Sequence, residues 1–266
     1  MEIRTITVLG GQGKDHVQEP IEQVILGMGD VVSIVGPTGC GKTTLINDIE
    51  LFADRNTPSM RRVLINDAQV DESDFPPART PVALISQHTN FLSDLPVNEF
   101  LSIHARIRRD EDVEGLVRET LDFANQLTGE PLILESAMTE LSGGQTRALL
   151  IADAVIIGNT PIVLLDEIEN AGIHRTKALE LLRRYKKIFI FVTHDPRIAL
   201  LSDFRIVMKN GAMQRVFVTS DEERQVVEEI KKLDDLLLDF RGLIRTGNQI
   251  SRGDLDDRLR ALGYTA

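Results

Sequence analysis

The run GPTGCGKT, Gly36 to Thr43, has the spacing G-x-x-x-x-G-K-[ST]. It follows an apolar stretch, Val31 to Val35, and precedes a helical pattern with Leu45, Ile46, Ile49 and Phe52 apolar, so it lies between strand and helix as a phosphate-cradling loop requires. Glycines at 36, 39 and 41 let the backbone curl until its N–H groups face phosphate oxygens, and the positive end of the next helix adds to that attraction. The residues Gly36, Pro37, Thr38, Gly39, Cys40, Gly41, Lys42, Thr43 and Thr44 are therefore candidate nucleotide-binding positions. Lys42 is expected to reach the β and γ phosphates, Thr43 to offer its hydroxyl to Mg²⁺, and Thr44 to add a contact to the α phosphate.

A second candidate is PIVLLDE, residues 161–167. Four apolar residues drive a buried strand whose end would deliver Asp166 to a magnesium shell, with Glu167 beside it as a candidate base for an attacking water. Two roles need two neighbouring carboxylates. His194 follows the apolar run IFIFVT and precedes Asp195-Pro196, a place where a side chain can turn toward a site. The histidines at 16, 88, 104 and 174 show no metal-ligand spacing and read as solvent or packing residues. VLGGQGKDH, residues 8–16, has the glycines of a phosphate loop but no lysine-hydroxyl pair before a helix, and reads as a turn between two early strands.

These residues need a framework. Apolar runs at 62–66, 82–86, 161–167, 188–194 and 204–211 join Val31–Val35 as strand candidates, and several lack period-two alternation, as parallel strands covered on both faces do. From Pro96 to about Ala137 the apolar positions Val113, Leu116, Val117, Leu121, Ala124 and Leu127 recur at three and four, which predicts a helical insertion. Near the end, Ser220 and Glu223 form a capping-box pattern before Val226, Ile230, Leu233, Leu237, Phe240 and Ile244, so an amphipathic helix is expected that packs back on its own domain or meets a partner. The expected organisation is a main domain over 1–219, with a helical subdomain at about 96–140 inserted, and a helical extension over 220–266.

Composition narrows the classes. The chain has 266 residues, 42% hydrophobic and 27% charged, and no apolar stretch approaches the roughly 18 residues a membrane helix needs. Its formal net charge of −11 argues against broad binding to nucleic acid. The amino terminus lacks a secretory pattern and the single cysteine, Cys40, cannot form an internal disulfide, so a reducing cytoplasm is expected.

LSGGQ, Leu141 to Gln145, begins 25 residues before Asp166 and completes a set that resembles the ATP-binding cassette (ABC) ATPases. Ser142 can cap a helix whose start, bare at Gly143 and Gly144, approaches an anion closely. The resemblance implies that Ser142, Gly143, Gly144 and Gln145 contact the γ phosphate held by the opposite subunit of a head-to-tail dimer. It also implies that Gln87, in ALISQ, links Mg²⁺ to the helical subdomain, and that His194 is similar to the switch histidine at the γ phosphate. The implied fold is an α/β phosphate-loop core of ABC type with a mostly parallel sheet, an antiparallel β portion near the N-terminus and a helical subdomain. The five motifs run in family order from about Val31 to Gly211.

Two departures stand out. The family's adenine-stacking aromatic would fall near residue 17, where this chain offers only His16 and Val17. After the carboxylate pair the family usually reads Pro-Thr-Ser-Ala-Leu-Asp, whereas this chain reads Ile-Glu-Asn-Ala-Gly-Ile, so Glu169, Asn170 and Gly172 alter a loop expected at the dimer interface. His194 lies only 28 positions after Asp166, and the connecting helix KALELLRRYKK is expected to be trimmed.

The resemblance implies an ATPase that dimerises around Mg-ATP, hydrolyses it through Lys42, Glu167 and His194, and works on a partner. The expected partner is a membrane permease, importer-like, met at the inner face of the membrane without insertion of this chain. The alternatives are a soluble ATPase acting on a cytosolic protein or metallocofactor enzyme, and an ATP-gated binding module with little turnover. With Leu141 only 99 positions after Lys42 there is no room for the long coiled coil of a chromosome-type clamp.

Overall fold

The computed structural model describes residues 2–76, 79–86, 89–109, 112–167 and 175–264. Two compact units are present, Met1–Val218 and Thr219–Ala266. The first is built on two sheets. Strands β1 (Thr5–Leu9), β2 (Gln23–Gly27), β4 (Arg62–Ile65) and β5 (Ala68–Gln69) form an antiparallel sheet in the order β2-β1-β4-β5. Strands β3 (Val31–Val35), β6 (Val82–Ile85), β7 (Ile162–Asp166), β8 (Ile188–Val192), β9 (Phe204–Lys209) and β10 (Ala212–Val218) form the larger sheet, ordered β10-β9-β3-β8-β7-β6. All its pairings are parallel except β9 with β10.

The continuous apolar runs explain the parallel sheet. Along β7 and β8 alternate side chains enter two different cores: Val163, Leu165, Phe189 and Phe191 pack on one face, and Ile162, Leu164, Ile188, Ile190 and Val192 on the other. A strand that serves two cores has no polar face to show, which is why period-two alternation is absent from the sequence. The first face is covered by α2 (Val97–Arg108), α3 (Val113–Leu127), α4 (Gly143–Val155) and α5 (Arg175–Leu182). The second face packs on α1 (Lys42–Glu50) and on residues of β1, β2 and β4. Helix α5 stops at Leu182, and Arg183 turns instead to Asp203, 3.0 Å away, so RRYKK is not helical. Asn210 and Gly211, both at positive φ, make the two-residue turn between β9 and β10 that an Asn-Gly pair favours.

A buried ion cluster ties four segments together beneath α1. The Arg61 guanidinium is fully buried; Nε and Nη2 donate to the two oxygens of Glu19 at 3.1 and 2.6 Å, Nη1 donates to Asp48 at 2.8 Å, and Nη2 also donates to the Gly211 carbonyl at 2.6 Å. Glu19 accepts further bonds from the N–H groups of Gly11 and Met213, and Asp48 accepts one from the Ser59 hydroxyl. Burial alone would push the guanidinium down, but the bonds to Glu19 and then Asp48 outweigh it and hold Arg61 above its usual value.

In the second unit, α7 (Asp221–Arg245) begins at the capping box of Ser220 and Glu223. A further helix, α8 (Arg252–Ala261), starts at a second box, Ser251 with Asp254. Arg258 lies over the Phe240 ring at 5.2 Å, and the Tyr264 hydroxyl donates to Glu229 at 2.6 Å, so the two helices face each other. Among the described residues no helix is long and apolar enough to cross a membrane.

The cluster predicts a sharp contrast between neighbouring arginines. Removing one member of a buried, fully bonded ion group leaves uncompensated charge, so Arg61→Met should cost about 3–5 kcal/mol in denaturant unfolding. Arg62 pairs with Asp54 at 2.8 Å where both side chains are partly open to solvent, and Arg62→Met should cost at most about 1 kcal/mol.

Candidate nucleotide site

Parallel strands bring their carboxyl ends to one edge of the sheet, and the loop 36–41, Asp166, Glu167 and His194 lie there. The loop 36–41 leaves the end of β3, Asp166 closes β7, and Thr193 and His194 follow β8. Two hydrogen bonds extend the pairing past the strand ends: Thr193 N–H to the Ile34 carbonyl at 3.3 Å, and Glu167 N–H to the Val192 carbonyl at 3.0 Å. Glu167 itself adopts a positive φ of 50°, an uncommon conformation for a side-chain-bearing residue and one that occurs at functional turns.

The loop must be glycine at particular places. Gly36 and Gly41 have φ of 150° and 100°, and a Cβ on Gly41 would stand 2.8 Å from the Gly211 backbone. Gly211 N–H in turn donates to the Cys40 carbonyl at 2.8 Å, so the β9–β10 turn props the loop from behind. The Cys40 side chain is buried in the core beside α1, which limits this residue's part in a site to its backbone. Helix α1 starts at Gly41 with no side-chain cap and no acid in its first turn, the arrangement that leaves its N–H groups and dipole to an outside anion. Thr43 and Thr44 are exposed on that turn.

Three side chains meet at this edge. Lys42 is buried, and its ammonium donates to the carbonyls of Gly36 and Pro37 at 3.0 and 3.2 Å and to His194 Nε2 at 3.2 Å. An ammonium has only donors, so this contact is a hydrogen bond when Nε2 of His194 is the acceptor. Glu167 Oε1 lies 3.7 Å from the same Nε2. His194 is held between two fixed neighbours, since Asp195 N–H donates to the Thr193 hydroxyl at 2.9 Å and the buried Asp195 carboxylate caps helix α6 (Pro196–Leu201). About half of the His194 side chain and a third of Glu167 remain open to solvent.

The Leu141–Gln145 stretch starts α4. Ser142 Oγ accepts from Gln145 N–H at 3.3 Å, Gln145 Oε1 accepts from Ser142 N–H at 2.9 Å, and Ser142 and Gly143 are exposed. Thr43 and Asp166 offer hydroxyl and carboxylate oxygens, donors suited to a hard cation such as Mg²⁺, and α1 packs against β7 so that their elements adjoin. Gln87 and the stretch 168–174, with Glu169, Asn170 and Gly172, lie outside the described residues. One contact was not anticipated from sequence: Lys14, in the glycine-rich turn after β1, donates its ammonium to the Gly39 carbonyl at 2.7 Å.

A family model described as ABC transporter matches residues 23–170. An uncharacterized ABC transporter ATP-binding protein of Methanocaldococcus jannaschii is 45% identical over 96% of this chain and 98% of its own length. A spermidine/putrescine import ATP-binding protein, PotA, of Lawsonia intracellularis is 33% identical over 71% of this chain, which spans about half of that protein (51%). Among solved structures, an ATP-binding cassette in a dimeric post-hydrolysis state bound to ADP and Pi aligns with a TM-score of 0.61 and 23% identity over 81% of this chain and 99% of that one. The cbiO1 subunit of the cbiONQ ABC transporter complex of Clostridium perfringens aligns at 0.60 and 23% over 92% and 100%. With the family model spanning more than half of the chain and a relative this similar along its whole length, the chain belongs to the ABC transporter ATP-binding protein family.

Proposed function

We propose that this chain binds Mg-ATP on the loop 36–44 and hydrolyses it, with Glu167 and His194 at the γ phosphate. The observation that carries this reading is the convergence of Lys42, His194 and Glu167, with Nε2 of the histidine 3.2 Å from the ammonium and 3.7 Å from the carboxylate. In this arrangement Lys42 rests on the loop's own carbonyls. A triphosphate in the cradle offers that ammonium full negative charge in place of neutral carbonyl oxygens, a stronger charge-assisted bond. Once the lysine turns to phosphate, His194 Nε2 loses its donor and is available to carry a proton toward a γ-phosphate oxygen. Glu167, at the strand end at a positive φ, would orient a water and take its proton.

Mg²⁺ would be held by Thr43 and Asp166, with Gln87 a third candidate, and would supply charge neutralisation on the β and γ phosphates. Ser142, Gly143, Gly144 and Gln145 present an exposed helix start with its capping box already formed. In a head-to-tail dimer this start would close over the γ phosphate of the facing protomer. The full-length similarity to an ABC transporter ATP-binding protein supports a membrane permease as the partner, which would place this chain at the cytoplasmic face.

Glu167→Gln keeps the shape of the side chain and removes its basicity. It should lower the ATPase rate by about 10²-fold or more while ATP still binds and promotes dimerisation, read by phosphate release and by light scattering with and without ATP. Turnover equal to that of the parent chain would remove Glu167 from its role. Association with a permease predicts that the tagged chain co-purifies with a multi-span membrane protein from solubilised membranes; recovery with a cytosolic enzyme alone would favour the soluble-client alternative.

A further inference from the structure

The glycine-rich stretch 8–16 does more than connect β1 to β2. Its turn is fixed in place from several sides. Gly13 N–H donates to the Val17 carbonyl at 2.9 Å, Gln12 and Gln18 form a bridge across it, and Glu19 at its base is locked into the Arg61 cluster. Lys14 N–H donates to the Asn210 carbonyl at 2.8 Å, and the next residue on that hairpin, Gly211, holds the Cys40 carbonyl of the phosphate loop. The backbone of Lys14 is thus anchored to the same hairpin that props the loop. Its ammonium reaches over the loop itself and donates to the Gly39 carbonyl at 2.7 Å, on the solvent side.

Two ammonium groups therefore rest on carbonyls of one phosphate loop, Lys42 on Gly36 and Pro37, and Lys14 on Gly39. Gly39 is the fourth residue of the cradle, at φ 74°, and the space where its side chain would be is open. An exposed ammonium bonded to one neutral carbonyl gives up little by exchanging it for a charged oxygen within the swing of its four-carbon stem.

We propose that Lys14 is a second phosphate-binding cation of this site, delivered from outside the loop by the turn after β1, and that the ligand it recognises is the polyphosphate chain of the nucleotide rather than its base. The inference rests on the reading of residues 36–44 as the phosphate site. It adds a positive charge that the loop motif does not supply, from a segment that the motif does not include.

Calorimetric titration with ATP and with inorganic tripolyphosphate separates the possibilities. Lys14→Met should weaken both ligands by a similar factor, about tenfold or more at low salt, as loss of a charge-assisted bond does. The deficit should shrink at high salt, and Lys14→Arg should restore most of the affinity. Unchanged tripolyphosphate affinity in Lys14→Met would overturn the inference. So would a loss that is the same at all salt concentrations, because it would mark Lys14 as a clamp on the Gly39 carbonyl only. Lys42→Met, measured alongside, keeps the two readings apart: if it loses tripolyphosphate binding while Lys14→Met does not, the loop reading stands and only the role of Lys14 fails. If Lys42→Met binds as tightly as the parent chain, the phosphate site itself is misplaced and the inference falls with it.

Discussion

A single buried guanidinium holds the site's foundations together. Arg61 binds Glu19 from the turn after β1, Asp48 from the helix that follows the phosphate loop, and the Gly211 carbonyl of the β9–β10 turn. Each of these segments touches the loop or carries a residue that does. Such a cluster gives little net stability, because desolvating the charges consumes most of what their attraction returns. What it supplies here is position. The two carboxylates and the guanidinium are bonded in one geometry; a shift of α1 would leave the buried Asp48 carboxylate without its cation, and a shift of the turn at 210–211 would break a buried hydrogen bond.

The sheet supplies the other half of the arrangement. β3, β7 and β8 serve two cores at once, so their register is fixed on both faces, and parallel order then aligns their carboxyl ends without further instruction. Lys42, Glu167 and His194 each lie within a few residues of one of those ends. Lys42 and His194, 152 positions apart along the chain, are thereby held within hydrogen-bond distance, with Glu167 within ion-pair distance of the same histidine. The remaining strain is local, in the positive φ of Glu167 and of the loop glycines.

Much of this was legible in the sequence because the signals are local. A strand run followed by Gly36–Thr43, and a strand run ending in Asp166-Glu167, announce both the element and the side chain it delivers. The capping box at Ser220 marked α7 for the same reason, and Ser251 with Asp254 is an equivalent mark for α8. The Arg61 cluster was not legible. Glu19, Asp48 and Arg61 look like surface charges one at a time, and only the tertiary fold reveals that the two acids share one guanidinium in the interior. VLGGQGKDH is likewise a turn, as its lack of a lysine-hydroxyl pair indicated, yet its lysine reaches the true phosphate loop through a docking that no local pattern encodes.

In the proposed site Lys42 is a phosphate ligand that rests on the loop's own carbonyls until nucleotide arrives. A crystal structure of the chain with Mg²⁺ and a non-hydrolysable ATP analogue tests this most directly. The predicted result is that the Lys42 ammonium leaves Gly36, Pro37 and His194 for phosphate oxygens, with His194 Nε2 turned to the γ phosphate. An analogue bound elsewhere, with Lys42 still donating to Gly36 and Pro37, would contradict it.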